Sequence, residues 1–119
     1  GDVYKRQFLY WGKGDIDEAL KEYSLAIEYK PDYDIAYNNM GVIYLDDLGR
    51  VRQAIDLFKK SVEFNPNYAL AHFNLARAIA ITGDKIEAAK LYQIAQDINK
   101  VTNEIDPQDI LDKINALFS

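Results

Sequence analysis

Two carboxamides and one imidazole are the side chains whose type and spacing could do chemistry in this chain. His72 is the single histidine and there is no cysteine, so neither a metal site of the usual nitrogen and sulfur ligands nor a thiolate nucleophile or disulfide can be assembled. No Ser-His-Asp set can be drawn with any specificity. Gly12-Lys13-Gly14 lacks the spacing and the strand-to-helix setting of a phosphate loop and reads as a turn. Asp46-Asp47 and the acidic helix faces read as solvated surface. What remains is Asn39 and Asn74, placed 35 residues apart. A carboxamide carries both a donor and an acceptor, so such a pair can hold both polar groups of a peptide unit in an extended ligand. That chemistry is binding; the sequence offers no residue set for an enzyme, a cofactor or a metal.

The spacing of the asparagines belongs to a longer pattern. Pro31 and Pro66 are also 35 residues apart, and the same offset carries Gly14 onto Gly49, Ala19 onto Ala54 and Tyr23 onto Phe58. Ala36, Tyr37 and Gly41 map forward onto Ala71, His72 and Ala76 at 35. Gly49, Ala54, Leu57 and Phe58 then map onto Gly83, Ala88, Leu91 and Tyr92 at 34. The chain is an internal repeat, with one extra residue in the Leu45 to Leu48 turn of the second unit.

Each unit reads as two helices. Tyr37, Met40, Gly41, Tyr44, Leu45 and Leu48 form one stripe of a 3.6-residue period, which Gly49 ends. Val51, Ala54, Ile55, Phe58 and Val62 form a second stripe, closed by Asn65-Pro66 because the residue before proline disfavours the α region. Ile16, Ala19, Leu20, Tyr23 and Ile27 repeat the second stripe before Pro31. His72, Leu75, Ala76 and Ile79, then Ile86, Ala89, Tyr92 and Ala95, rebuild the pair after Pro66. No segment sustains period-2 alternation, so no strand is expected. Small residues at 41 and 76 on first helices, and at 19, 54 and 88 on second helices, predict close helix approach beside Tyr23, Phe58 and Tyr92. Glycine inside a helix costs about 1 kcal/mol relative to alanine, so Gly41 needs such a packing reason.

The bulk properties fit one domain. The chain has 119 residues, 49% hydrophobic and 28% charged, with a formal charge of −5. That balance argues against the basic face that nucleic acid or an anionic membrane surface requires. No apolar run approaches the roughly 18 residues of a membrane span.

The repeat resembles the tetratricopeptide signature W-x2-L-G-x2-Y, A-x3-F, P. The second unit supplies Tyr37, Met40, Gly41, Tyr44, Ala54, Phe58 and Pro66. The third supplies His72, Leu75, Ala76, Ile79, Ala88 and Tyr92, with Lys100 in the proline slot, so its second helix is not expected to break sharply there. The resemblance covers about residues 8 to 100. It implies an all-α solenoid of antiparallel helix pairs, a right-handed superhelical array. Asp106-Pro107 reads as an N-cap followed by proline at the first helical position, opening an amphipathic helix through Ile110, Ile114 and Leu117 that caps the array. The alternative for this helix is the start of a truncated fourth repeat.

The expected organisation is a partial first repeat over 8–34, a second over 35–68, a third over 69–102 and the capping helix over 103–119. Residues 1–7, GDVYKRQ, resemble the translation of a transposase-end adapter used in sequencing libraries and are expected to be non-native. Arg6 and Gln7 stand where the second repeat has Met40 and Gly41, which agrees with that reading and implies that the true N-terminus is missing.

In stacked helix pairs the first helices line the concave side. Positions off their core stripes are then candidate groove residues: Asn38, Asn39 and Val42 in one, Leu70, Phe73, Asn74 and Arg77 in the next. Ile35, Asp46 and Ile81 flank them. Asn39 and Asn74 resemble the asparagine ladder of superhelical tetratricopeptide arrays, which holds peptide backbone. Their alternative is ordinary polar surface. Phe73 and Leu70 would offer side-chain pockets, and Arg77 pairs either a ligand carboxylate or an intramolecular partner. His72 fills the slot of Tyr37 and is expected to pack. The carboxylate clamp of chaperone-binding members asks for cations where this chain has Leu70 and Asn74, so clamp function is not expected. The implied function is a protein-protein interaction module with a peptide or protein partner. The competing reading is a structural or self-associating segment, or an accessory region of a larger enzyme such as a glycosyltransferase.

Overall fold

The structure, a computed structural model, describes residues 15–119. The adapter-like segment and the first helix of the first repeat lie outside the described residues. Among these residues six α-helices run α1 Asp15–Tyr29, α2 Asp34–Val42, α3 Val51–Phe64, α4 Ala69–Ile81, α5 Lys85–Thr102 and α6 Pro107–Leu117. A π-helical turn, Ile43–Asp47, extends α2. No strand occurs among the described residues. Each helix packs on the next in sequence, and α2 also touches α4. The architecture is an α-helical solenoid of paired helices.

Local chemistry explains the boundaries. α1 and α3 each stop two residues before a proline. Gly49 and Gly83 adopt φ of 64° and 96°, left-handed values that an L side chain resists, and so turn the chain between helices. With lysine in the proline slot, α5 continues through Lys100 to Thr102 and ends on Asn103 in the left-handed region, φ 51°. At the start of α5 the Asp84 carboxylate accepts from the Glu87 amide at 3.1 Å. α6 begins as its sequence suggests: Asp106 accepts from the Gln108 amide at 3.0 Å and Pro107 occupies the first turn.

Two apolar clusters form the core among the described residues. Leu45, Ala54, Phe58, Leu75 and Ala78 make one. Ala69, Phe73, Ala76, Ala88, Tyr92, Ala95, Ile105, Ile110 and Leu117 make the other. α4 supplies residues to both, so it is covered on nearly all sides. α2 is similarly enclosed by α1, α3 and α4; beyond the expected stripe, Ala36 in α2 and Ile43 at the start of the π turn are buried. Two stripe residues depart outward: Leu48, past the end of the π turn, is 37% exposed, and Ile86, in the first turn of α5, is 69% exposed.

Gly41 has its packing reason. A Cβ built there would lie 2.5 Å from Cε1 of Phe58 and 2.7 Å from Cδ1, so the aromatic ring rests directly on the α2 backbone. The extra residue of the second repeat is accommodated in the π turn, where the Leu48 amide donates to the Ile43 carbonyl at 3.1 Å. Arg50 N reaches back to Tyr44 O at 2.7 Å, one residue further than the 6→1 bond of a Schellman ending. The insertion thus widens the helix end and leaves the following loop short.

Candidate functional site

A chain of hydrogen bonds joins α2 to α4. Arg77 Nη2 donates to Asp46 Oδ1 at 2.6 Å and Nη1 to Asn74 Oδ1 at 3.0 Å. Asn74 Nδ2 donates to Asn38 Oδ1 at 3.0 Å, and Asn38 Nδ2 donates to Tyr68 Oη at 3.5 Å. The guanidinium has donors alone, so it fixes the direction of the chain. Asn74 must turn its oxygen to Arg77 and its nitrogen to Asn38, whose oxygen then accepts. Tyr68 ends the row; burial, reinforced by the Glu104 and Asp34 carboxylates, pushes its phenol up to about 12.

These bonds decide what each candidate residue offers. Asn38, Asn39 and Asn74 are 1%, 4% and 3% exposed. Asn38 and Asn74 form a polar layer at the α2–α4 seam. Asn74 already uses its donor on Asn38 and its acceptor on Arg77, and of the two roles open to Arg77 the structure shows the intramolecular one. Phe73 is in the core: its ring lies 5.5 Å from that of Tyr92, which covers the direction in which a ligand pocket was expected. Val42 is half-buried against the Phe58 cluster. Leu70 is half-buried, and its amide donates to Glu104 Oε1 at 3.1 Å while Ala69 N donates to Oε2 at 3.1 Å. That carboxylate satisfies the first free amides of α4 and sits favourably at the positive end of the helix dipole. Ile35, 37% exposed, holds the α2 seat that Leu70 holds on α4.

His72 takes the packing role. Its Nε2 lies 2.9 Å from the Pro66 carbonyl, as Tyr37 Oη donates to the Pro31 carbonyl at 3.4 Å. Nδ1 is buried without a partner, so the ring is assigned the tautomer with its proton on Nε2.

Two features had no sequence signal. Glu104 reaches α4 from the α5–α6 loop, which Asn99 shapes by accepting from the Glu104 and Ile105 amides, both at 2.8 Å. A cavity of about 390 Å3 opens where the C-terminal ends of α4 and α6 meet the start of α5; Arg77, Lys85, Tyr92 and Lys113 are among its lining residues. No group of residues suited to a metal ion occurs among the described residues, and no helix there is long and apolar enough to cross a membrane.

Two family profiles match the chain: TPR repeat over residues 9–47 and tetratricopeptide repeat over residues 43–109. No curated protein matches it in sequence. Among solved structures it is similar to the TPR2B domain of yeast Sti1 in its pHsp70 complex, at 21% identity and a TM-score of 0.84, over 98% of this chain and 93% of that one. It is similar also to the first TPR of Spaghetti (RPAP3) bound to the HSP90 peptide SRMEEVD, at 23% identity and 0.76, over 98% and 91%. A third likeness is to SycD, a type III secretion translocator chaperone of Yersinia enterocolitica, at 15% identity and 0.82, over 98% and 81%. At these identities the likeness is one of fold.

Proposed function

Because this chain belongs to the tetratricopeptide repeat family, we propose that it is a protein-protein interaction module, without catalysis of its own, that takes an extended peptide or a partner surface along its first helices. The observation that carries this reading is the α2–α4 pair. Ile35 with Leu70, and Val42 with Arg77, hold equivalent partly accessible seats on two helices whose spacing is fixed by the Asn38–Asn74 bond. Two such helices lie on the order of 10 Å apart, about three residues of extended chain, so equivalent seats can meet side chains spaced along one strand. In this reading the asparagines are first a rigid floor. A ligand backbone engages Asn39 and Asn74 by exchanging with bonds already made there. The Sti1 and RPAP3 domains of the same fold were solved with pHsp70 and an HSP90 peptide, which supports a peptide partner in kind. With Leu70 and Asn74 in place of the clamp cations, the partner here is of another sequence class.

A peptide-library screen tests this. Peptides selected on the wild-type domain should move the amide resonances of Ile35, Val42 and Leu70. They should also lose about tenfold in affinity, roughly 1.4 kcal/mol, on Val42→Glu. Asn39→Ala/Asn74→Ala, checked for folding by circular dichroism, reports the asparagines' share. Selected peptides that bind all three proteins equally, or that shift resonances on α3 and α5 alone, would overturn the assignment of the face.

A further inference from the structure

We propose that the cavity at the C-terminal ends of α4 and α6 is a subsite for side-chain carboxylates of an acidic peptide segment. This rests on the peptide-binding reading above and names the chemistry of the partner. Arg77, Lys85 and Lys113 all line the cavity, a concentration of positive charge on a chain whose formal charge is −5. Asp46 neutralises one of the three through its bond to Arg77. Lys85 and Lys113 make no ion pair among the described residues. The carboxylates nearest to them in sequence are engaged elsewhere: Asp84 accepts from the Glu87 amide and Asp112 from the Gln108 side chain.

The surroundings suit an anion carried on an apolar stem. Ile81, 62% exposed, and Leu117 stand beside the cations, and the Tyr92 ring closes the floor. A volume of about 390 Å3 lies within the roughly 300–1,000 Å3 of small-ligand sites. Arg77 connects this cavity to the α2–α4 seam, so a chain lying across Val42 and Arg77 leads directly into it. The position also differs from that of a carboxylate clamp, whose slots, Leu70 and Asn74, do not line the cavity, although Asn74 bonds Arg77 at its edge.

The probe is a fluorescein-labelled peptide alternating glutamate and leucine, with blocked termini so that side chains carry all its charge, compared with its glutamine-for-glutamate counterpart. Fluorescence anisotropy at low salt should show the glutamate peptide binding about tenfold more tightly, since two exposed ion pairs at up to about 1 kcal/mol each give that order of preference. The preference should shrink as sodium chloride is raised. Lys85→Gln/Lys113→Gln, both at exposed sites, should remove it and leave affinity for the glutamine peptide unchanged. Equal affinity of the wild type for both peptides, or a preference that survives in the double variant, overturns the subsite and leaves the α2–α4 face standing. Failure of both peptides to bind, with no resonance of α2 or α4 moved, removes the face and the subsite together.

Discussion

The second and third helix pairs solve one packing problem in two ways. In the second, Gly41 lets the Phe58 ring come within 2.5 Å of where a Cβ would stand. In the third, Ala76 occupies the equivalent seat, fully buried, and Tyr92 shares its cluster while leaning on Phe73. One pair removes a methyl group to admit a ring, whereas the other keeps the methyl and supports the ring from a second aromatic. The lesson is that the small residue and its aromatic partner are chosen together. An alanine that is right at 76 is wrong at 41, although the period makes the two positions equivalent.

Exchanging the two small residues should expose that difference. Gly41→Ala gains about 1 kcal/mol of helix propensity but forces the Phe58 ring to move, and overpacking of this kind costs about 1–3 kcal/mol. We expect net destabilisation in urea titrations. Phe58→Leu should suppress the effect of Gly41→Ala, because residues in contact couple; independent, additive effects would show that the ring is not the obstacle. Ala76→Gly should cost about 1 kcal/mol through helix propensity, with no recovery from any change at Tyr92. A larger loss would mean that the Ala76 methyl carries packing of its own. The smallest effect is expected of Asp46→Asn, which weakens the pair to Arg77 at a partly exposed site, where such pairs are worth about 0–1 kcal/mol. Its stability change should fade as salt is raised, and a salt-independent loss would show that the bond acts by orienting Asn74.

Much of this was legible in sequence because its causes are local. The helix stops at Pro31 and Pro66, the Asp106-Pro107 start and the demand for close packing at Gly41 all depend on residues within a turn or on one period. The roles of the asparagines were not. The offset gives Asn39 and Asn74 equivalent seats, but it does not say that Asn74 bonds Asn38, because contact between neighbouring helices depends on their stagger and rotation, which a repeat period does not contain. Phe73 read as a groove residue by position, but the Tyr92 ring on the following helix covers it. Glu104 capping α4 joins residues 35 apart through a loop whose shape rests on Asn99, and no local motif announces it.

The π turn at Ile43–Asp47 also behaves as an angular setting. A residue advances an α-helix by about 100°, so one more residue taken up in the π turn changes which way the side chains within that turn face. The offset to the next repeat is 35 before that turn and 34 after it, and Asp46, inside the turn, faces the guanidinium of the neighbouring helix. Length variation in a helical array can therefore act as a dial for side-chain azimuth: a single insertion sets which charge faces across a seam, while the aromatic rings of both repeats still pack against the small residue of the preceding helix.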